Sequence, residues 1–267
     1  MTIDIALKHL STPRLDIYCK SFSLSAESDQ EKLIFIYLAI QDLTSCFYPF
    51  FQLTELALRN NIDTAMRGKF GDYWYKHLIL NEETEQKFSN ALSISKEKKT
   101  NPSHDDFVCE VTFGGWVNLL APENRCGDVD LNSVQEGQKE QVKTIKNFWS
   151  DNINDIFPGR ETKSIAEIFT TLKTTNNFRN RFSHYEPLWK PTYKQAQKVT
   201  SGQFLIKDKF EQALFFLNDK RQKTLAALKI CSPHIHHKLM NDLKILDHFD
   251  HKTTLYLAEW KKLNKKK

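Results

Sequence analysis

Only 8 glycines and 8 prolines interrupt 267 residues. A chain that turns often, through hairpins and short strands, uses more of both, so this scarcity favours long helices joined by few loops. The apolar pattern agrees. Across residues 25–46, Leu33, Ile36, Tyr37, Ile40 and Leu43 recur at steps of three and four, the spacing of one helical face. Pro49 kinks or restarts the chain. A second amphipathic run then carries Phe50, Leu53, Leu56, Ala57, Ile62 and Ala65 on or near one face and ends around Gly68 and Gly71. No segment alternates apolar and polar residues over the length of a strand, and no Asn-Gly or Asp-Gly hairpin turn occurs. The expected fold is all-α, a helical bundle in a single domain over residues 1–267.

The remaining helices follow from the same signals. Thr12 is expected to cap a short helix with Pro13 in its first turn, running to about Phe22. Residues 82–99 are polar and helix-permissive, helices are predicted over residues 138–157, 164–181, 203–229, 233–249 and 252–263, and residues 121–137 are a polar loop. Residues 107–120 are apolar and hold Gly114 and Gly115. Two glycines inside a helix cost about 1 kcal/mol each relative to alanine, so this point is expected to be a close helix–helix approach or a kink.

Composition bounds the function only loosely. A hydrophobic content of 40% is enough to build a core, and a net charge of +5 permits an anionic partner without demanding one. The five cysteines, Cys19, Cys46, Cys109, Cys126 and Cys231, are odd in number, scattered and without a C-x-x-C pair. They read as reduced thiols, which fits a cytoplasmic protein. The first residues carry acids and no long apolar run, unlike a signal peptide. No uninterrupted stretch reaches the roughly 20 apolar residues that span a bilayer, so no membrane partner is expected.

The chemistry-bearing residues concentrate in Phe178-Arg179-Asn180-Arg181-Phe182-Ser183-His184-Tyr185-Glu186-Pro187. Arginine stays charged and can grip a phosphate through two N–H groups. Histidine gives or takes a proton near neutral pH. The pair suits cleavage of an RNA phosphodiester, with Asn180 and Glu186 as polar support. Its spacing alone is weak evidence: in a chain with 8 arginines and 9 histidines, such a pair is expected about once by chance. Without further support, Arg179 and His184 read equally as a charged helix end near C-terminal carbonyls.

Three stretches in order add that support. Tyr48-Pro49-Phe50-Phe51-Gln52-Leu53-Thr54-Glu55-Leu56-Ala57-Leu58-Arg59-Asn60-Asn61-Ile62 is similar to Y-P-L-L-x-x-x-E-x-x-L-R-N-x-I of the Abi-like family of abortive-infection phage-resistance proteins. Glu110-Val111-Thr112-Phe113-Gly114-Gly115-Trp116-Val117-Asn118-Leu119-Leu120 resembles its E-L-T-F-G-x-W-x-x-L-L. Arg179-Asn180-Arg181-Phe182-Ser183-His184-Tyr185-Glu186-Pro187 resembles its R-N-R-x-x-H-H-E-P, with Tyr185 where many members have a second histidine. That family belongs to the HEPN superfamily of helical-bundle ribonucleases.

The resemblance covers about residues 35–190. It implies a HEPN-like core at about 25–190, with additional C-terminal helices at 195–267. It further implies a phage-defence toxin that acts as a metal-independent endoribonuclease, needs no cofactor, and leaves 2′,3′-cyclic phosphate ends. Arg179, Asn180 and His184 would be catalytic. The RNA substrate would be met by a homodimer, and a small regulatory RNA or other antitoxin would restrain it. The alternative is a non-catalytic helical module that binds RNA or protein.

Three further clusters were weighed. Glu55 and Arg59 lie at i and i+4, where they can pair. In an apolar helix that pair, with Asn60 beside it, is expected to turn inward and brace the Arg179–His184 segment. His234, His236 and His237 cluster, but His234 and His237 lie at i and i+3 with no carboxylate suitably close in sequence for a metal site, and the cluster reads as solvent-facing histidines; no metal is expected there or near Arg179. The run from Lys261 to Lys267 reads as a solvated tail, with phosphate contact as the alternative.

Overall fold

A computed structural model describes residues 9–126, 135–242 and 245–265. Among these residues the regular structure is entirely helical. Twelve α-helices occur: α1 (Thr12–Phe22), α2 (Gln30–Ser45), α3 (Tyr48–Phe70), α4 (Glu82–Lys98), α5 (His104–Glu110), α6 (Phe113–Asn118), α7 (Glu136–Ile156), α8 (Ile165–Ser183), α9 (Tyr193–Thr200), α10 (Lys209–Cys231), α11 (Pro233–His237) and α12 (Ile245–Lys265). A 3₁₀ turn at Trp74–His77 and a π-helical turn at Lys238–Asp242 complete the set. The all-α expectation is met. Residues 127–134 of the polar loop expected at 121–137 lie outside the described residues.

Contacts divide the chain into two compact units. One comprises Met1–Pro49, Arg181–Gln222 and Leu239–Lys267; the other comprises Phe50–Asn180 and Lys223–Lys238. The first is organised on α2. Leu33, Ile36, Ala39, Ile40 and Leu43 are buried along it, as their spacing requires. Phe35 sits among Phe210, Tyr256 and Trp260. One turn and more along α2, Asp42 accepts from Lys252 Nζ and Tyr256 Oη at 2.7 Å each, tying α2 to α12.

The second unit buries an aromatic-rich core. Leu58, Ile62 and Met66 of α3 meet Trp74, Phe88 of α4, Phe107 of α5, Phe113 and Trp116 of α6, Phe148 and Trp149 of α7, and Ile168 and Leu172 of α8. Its helices start where side chains satisfy the free amides of the first turn. Asn81 accepts from Thr84 N–H ahead of α4, and Ser103 forms a capping box with Asp106 ahead of α5. Ser164 and Glu167 bond reciprocally ahead of α8, at 2.8 Å and 3.3 Å.

Several boundaries differ from expectation. The helix-start position before α1 is Ser11 rather than Thr12, and it makes no side-chain cap. Pro49 marks a restart, as expected: α2 ends at Ser45 and Pro49 lies within the first turn of α3, where its missing N–H costs nothing. The apolar run at 107–120 forms two helices, because Thr112 caps a new start by accepting from Gly115 N–H. By length and composition the helical stretch Gln30–Phe70 reaches what a membrane span needs, with mean hydropathy 1.4 over its best window, half of which is buried inside the protein. The buried face of α2 accounts for that apolarity.

Candidate functional site

The three motif stretches meet at one carboxylate. Glu55 projects from the N-terminal half of α3, with a side chain 26% exposed. Its Oε2 lies 3.7 Å from Arg179 Nη2 of α8. The backbone N–H of Phe113, at the start of α6, also bears on it. That amide belongs to the first turn of a helix, where N–H groups have no intrahelical partner and the helix dipole favours negative charge. Burial pushes the Glu55 carboxyl above its ordinary pKa, and the charges of Arg179 and Arg59 and the Phe113 N–H pull only part of the way back.

Gly114 explains how α6 comes near α8. A Cβ on it would stand 3.3 Å from Asn176 Nδ2, tighter than ordinary contact. Asn176 is on α8, within a turn of Arg179 and Asn180. A Cβ on Gly115 would stand 2.9 Å from Val111 Cγ1. The glycine pair therefore marks a close helix–helix approach, one of the two expected outcomes. Asn176 Oδ1 is buried without a hydrogen-bond partner.

Glu55 was expected to pair with Arg59. Its ion pair goes to Arg179 instead, and Arg59 Nε donates to Asn60 Oδ1 at 3.3 Å while its Nη1 points at Cys109 Sγ, 4.0 Å away. Arg59 still acts on Glu55 through its charge. Asn60 is exposed. Its neighbour Asn61, not singled out in the sequence, donates from Nδ2 to the carbonyls of Ile156 and Cys231 at 2.8 Å each, closing the C-terminal turns of α7 and α10.

The division between units falls after Asn180, so the rest of the motif belongs to the first unit. Helix α8 ends at Ser183, immediately before His184; on a continued helix residues 179 and 184, five apart, would point about 140° from each other. The end is a Schellman motif. Tyr185 N–H donates to Phe182 O at 3.1 Å, and Glu186 N–H to Arg181 O at 2.8 Å. Tyr185 occupies the left-handed position of that motif, φ 55°, where glycine is usual. Pro187 follows and cannot continue a helix. Glu186 Oε2 lies 3.4 Å from Arg181 Nε across the turn. Asn180 and His184 are exposed, and Arg179 is partly exposed.

A half-exposed guanidinium oriented by a carboxylate, in the last turns of a helix, keeps N–H groups available to an anion. An exposed imidazole, His184, lies just beyond the helix end. Elsewhere, His234 and His237 are exposed and His236 is half-buried, with burial lowering its pKa. Among the described residues no three His, Cys, Asp or Glu side chains are grouped to hold a metal ion. All five cysteines are free thiols. No protein-family model, no curated protein and no solved structure matches this chain.

Proposed function

We propose that this chain is a HEPN-type endoribonuclease of the Abi-like kind, a phage-defence toxin that cleaves RNA without a metal. The observation that carries the reading is the convergence of the three motif stretches on Glu55: one supplies the carboxylate, one the Phe113 N–H and one Arg179. Chance matches have no reason to meet at one atom group.

In the proposed reaction the 2′-hydroxyl attacks the adjacent phosphorus and the 5′-oxygen leaves. The 2′,3′-cyclic phosphate and a 5′-hydroxyl result. His184 moves a proton, taking it from the 2′-hydroxyl or giving it to the leaving oxygen. Arg179 neutralises the charge that builds on the phosphorane oxygens, and Glu55 holds its guanidinium in place. Asn180 orients the phosphate or His184. Each chain carries one Arg–His pair, so two chains in a homodimer supply both proton-transfer groups. The toxin works in the cytoplasm on RNA and is restrained by a small regulatory RNA or another antitoxin.

Purified protein incubated with total RNA in EDTA tests the proposal. Cleavage to 2′,3′-cyclic phosphate ends is expected, reduced by at least about 100-fold in His184→Ala. Arg179→Lys is expected to be severely impaired, because lysine keeps the charge and loses the planar fork. A strict need for a divalent metal, 3′-hydroxyl products, or full activity in folded His184→Ala overturns it.

A further inference from the structure

The first unit holds a cavity of about 310 Å³ directly behind the Schellman turn. Ser183 and Tyr185, the two chain neighbours of His184, both line it. We propose that this cavity is the subsite for one nucleobase of single-stranded RNA, seated next to the bond that is cut. The inference rests on the ribonuclease reading and adds a specificity determinant to it.

Size is the first argument. Ligand pockets run from about 300 to 1,000 Å³, and this one, at the small end, suits a single nucleoside rather than a duplex. The walls are the second. Tyr18, Phe182, Tyr185 and Trp189 contribute four aromatic rings. Single-stranded RNA is recognised chiefly by stacking splayed bases on such rings and reading their edges with hydrogen bonds.

Polar groups complete the lining: the Tyr18 hydroxyl, its pKa raised by burial, lies beside Trp189. Gln41 adds an amide that reaches the Tyr18 hydroxyl only at 3.4 Å.

The lining also selects among ligands. Glu186, 54% exposed, brings a carboxylate to this pocket, an acceptor that repels phosphate and accepts from amino groups. Bases with an exocyclic amino group, adenine, guanine and cytosine, are therefore favoured over uracil. Arg14 stands with its guanidinium carbon 5.8 Å from the centre of the Tyr185 ring, a cation available to a flanking phosphate.

Binding of short labelled oligo(A), oligo(C) and oligo(U) to full-length His184→Ala protein, followed by fluorescence anisotropy, tests this. Oligo(A) and oligo(C) are expected to bind about tenfold more tightly than oligo(U), roughly one good hydrogen bond's worth. Adding Glu186→Ala, which deletes the carboxylate acceptor, should cut the preference to about twofold. Circular dichroism confirms folding, and the Glu186 side chain is exposed, so the fold does not depend on it. No base preference, or an undiminished preference in the folded variant, overturns the subsite. Preference without any cleavage by the unmodified protein supports the subsite and removes the ribonuclease reading; cleavage without preference does the reverse.

Discussion

Helix α3 carries two acids, Glu55 and Asp63, in opposite situations. Asp63 is 9% exposed, and its Oδ1 accepts from Trp74 Nε1 and from His104 Nε2 at 2.7 Å each. Tyr73 N–H donates to His104 Nδ1 at 3.1 Å, which fixes the imidazole as the Nε2–H tautomer that Asp63 needs. Both donors reach Oδ1 at short range, while Oδ2 lies 3.9 Å from Arg67 Nη1. Glu55 is the reverse: partly open, 3.7 Å from its cation, and driven by burial toward its neutral form. The same residue chemistry thus serves as a lock at one end of the helix and as a loosely held brace at the other. Saturated contacts fix a fold; incompletely satisfied ones leave capacity for a ligand.

The largest effect should come from breaking the lock. Asp63→Ala leaves the His104 and Trp74 donors buried and unpaired, at a cost of about 3–5 kcal/mol together. Its thermal midpoint should fall by about 10 °C. A midpoint within about 2 °C of the unmodified protein would mean that the cluster is no lock. A fully buried Glu55–Arg59 pair would cost as much to break. With the observed exposure and separation, Glu55→Ala should cost about 1 kcal/mol or less, and equal losses at Glu55 and Asp63 would erase the contrast.

Tyr185→Gly probes backbone strain on the open side of the comparison. Relief of the left-handed position should raise stability by about 1 kcal/mol, less whatever the ring gains beside Arg14. Chemical denaturation would show the rise; a loss of more than about 1 kcal/mol would mean the ring contacts outweigh the strain.

The smallest effect is a pH signature of Glu55. Its folded pKa is raised above the ordinary 4.5, so between those two values the folded chain holds more protons than the unfolded one. Stability from this group therefore declines as pH rises through that window and is level above it. Asp42, Glu83 and Asp106 have lowered pKa values and contribute the opposite slope. Subtracting the stability profile of Glu55→Gln from that of the unmodified protein isolates the Glu55 component, expected to stay under about 1 kcal/mol. A difference that rises with pH would contradict the burial-driven shift.

Much of the fold was legible because apolar spacing is local. Residues 164–181 were expected as a helix, and α8 spans Ile165–Ser183. Residues 82–99 correspond to Glu82–Lys98. Helix α9 was missed because it is short: its apolar stripe is only Tyr193, Ala196 and Val199, and none of them is buried. Its Thr192/Gln195 capping box was the available signal. The helix expected from residue 203 starts at Lys209, where Asp208 accepts from Glu211 N–H at 2.9 Å.

The candidate site was legible as residues and less so as contacts. Glu55 and Arg179 were both singled out, yet spacing rules offered Glu55 only Arg59, one turn away. A partner on another helix lies beyond any periodicity argument. The Phe113 amide was invisible for a different reason: it is backbone, and only the position of a helix start reveals it. The left-handed Tyr185 was hidden likewise, since a tyrosine gives no hint of the conformation that glycine announces.

The most direct test of the account is the RNA cleavage rate of Glu55→Gln, measured in EDTA at a temperature where circular dichroism shows it folded. Glutamine keeps the shape and removes the charge that orients Arg179. The rate is predicted to fall at least about tenfold, more than 1 kcal/mol of transition-state stabilisation, while stability changes by about 1 kcal/mol or less. A rate equal to that of the unmodified protein would contradict the claim that Glu55 holds Arg179 for catalysis.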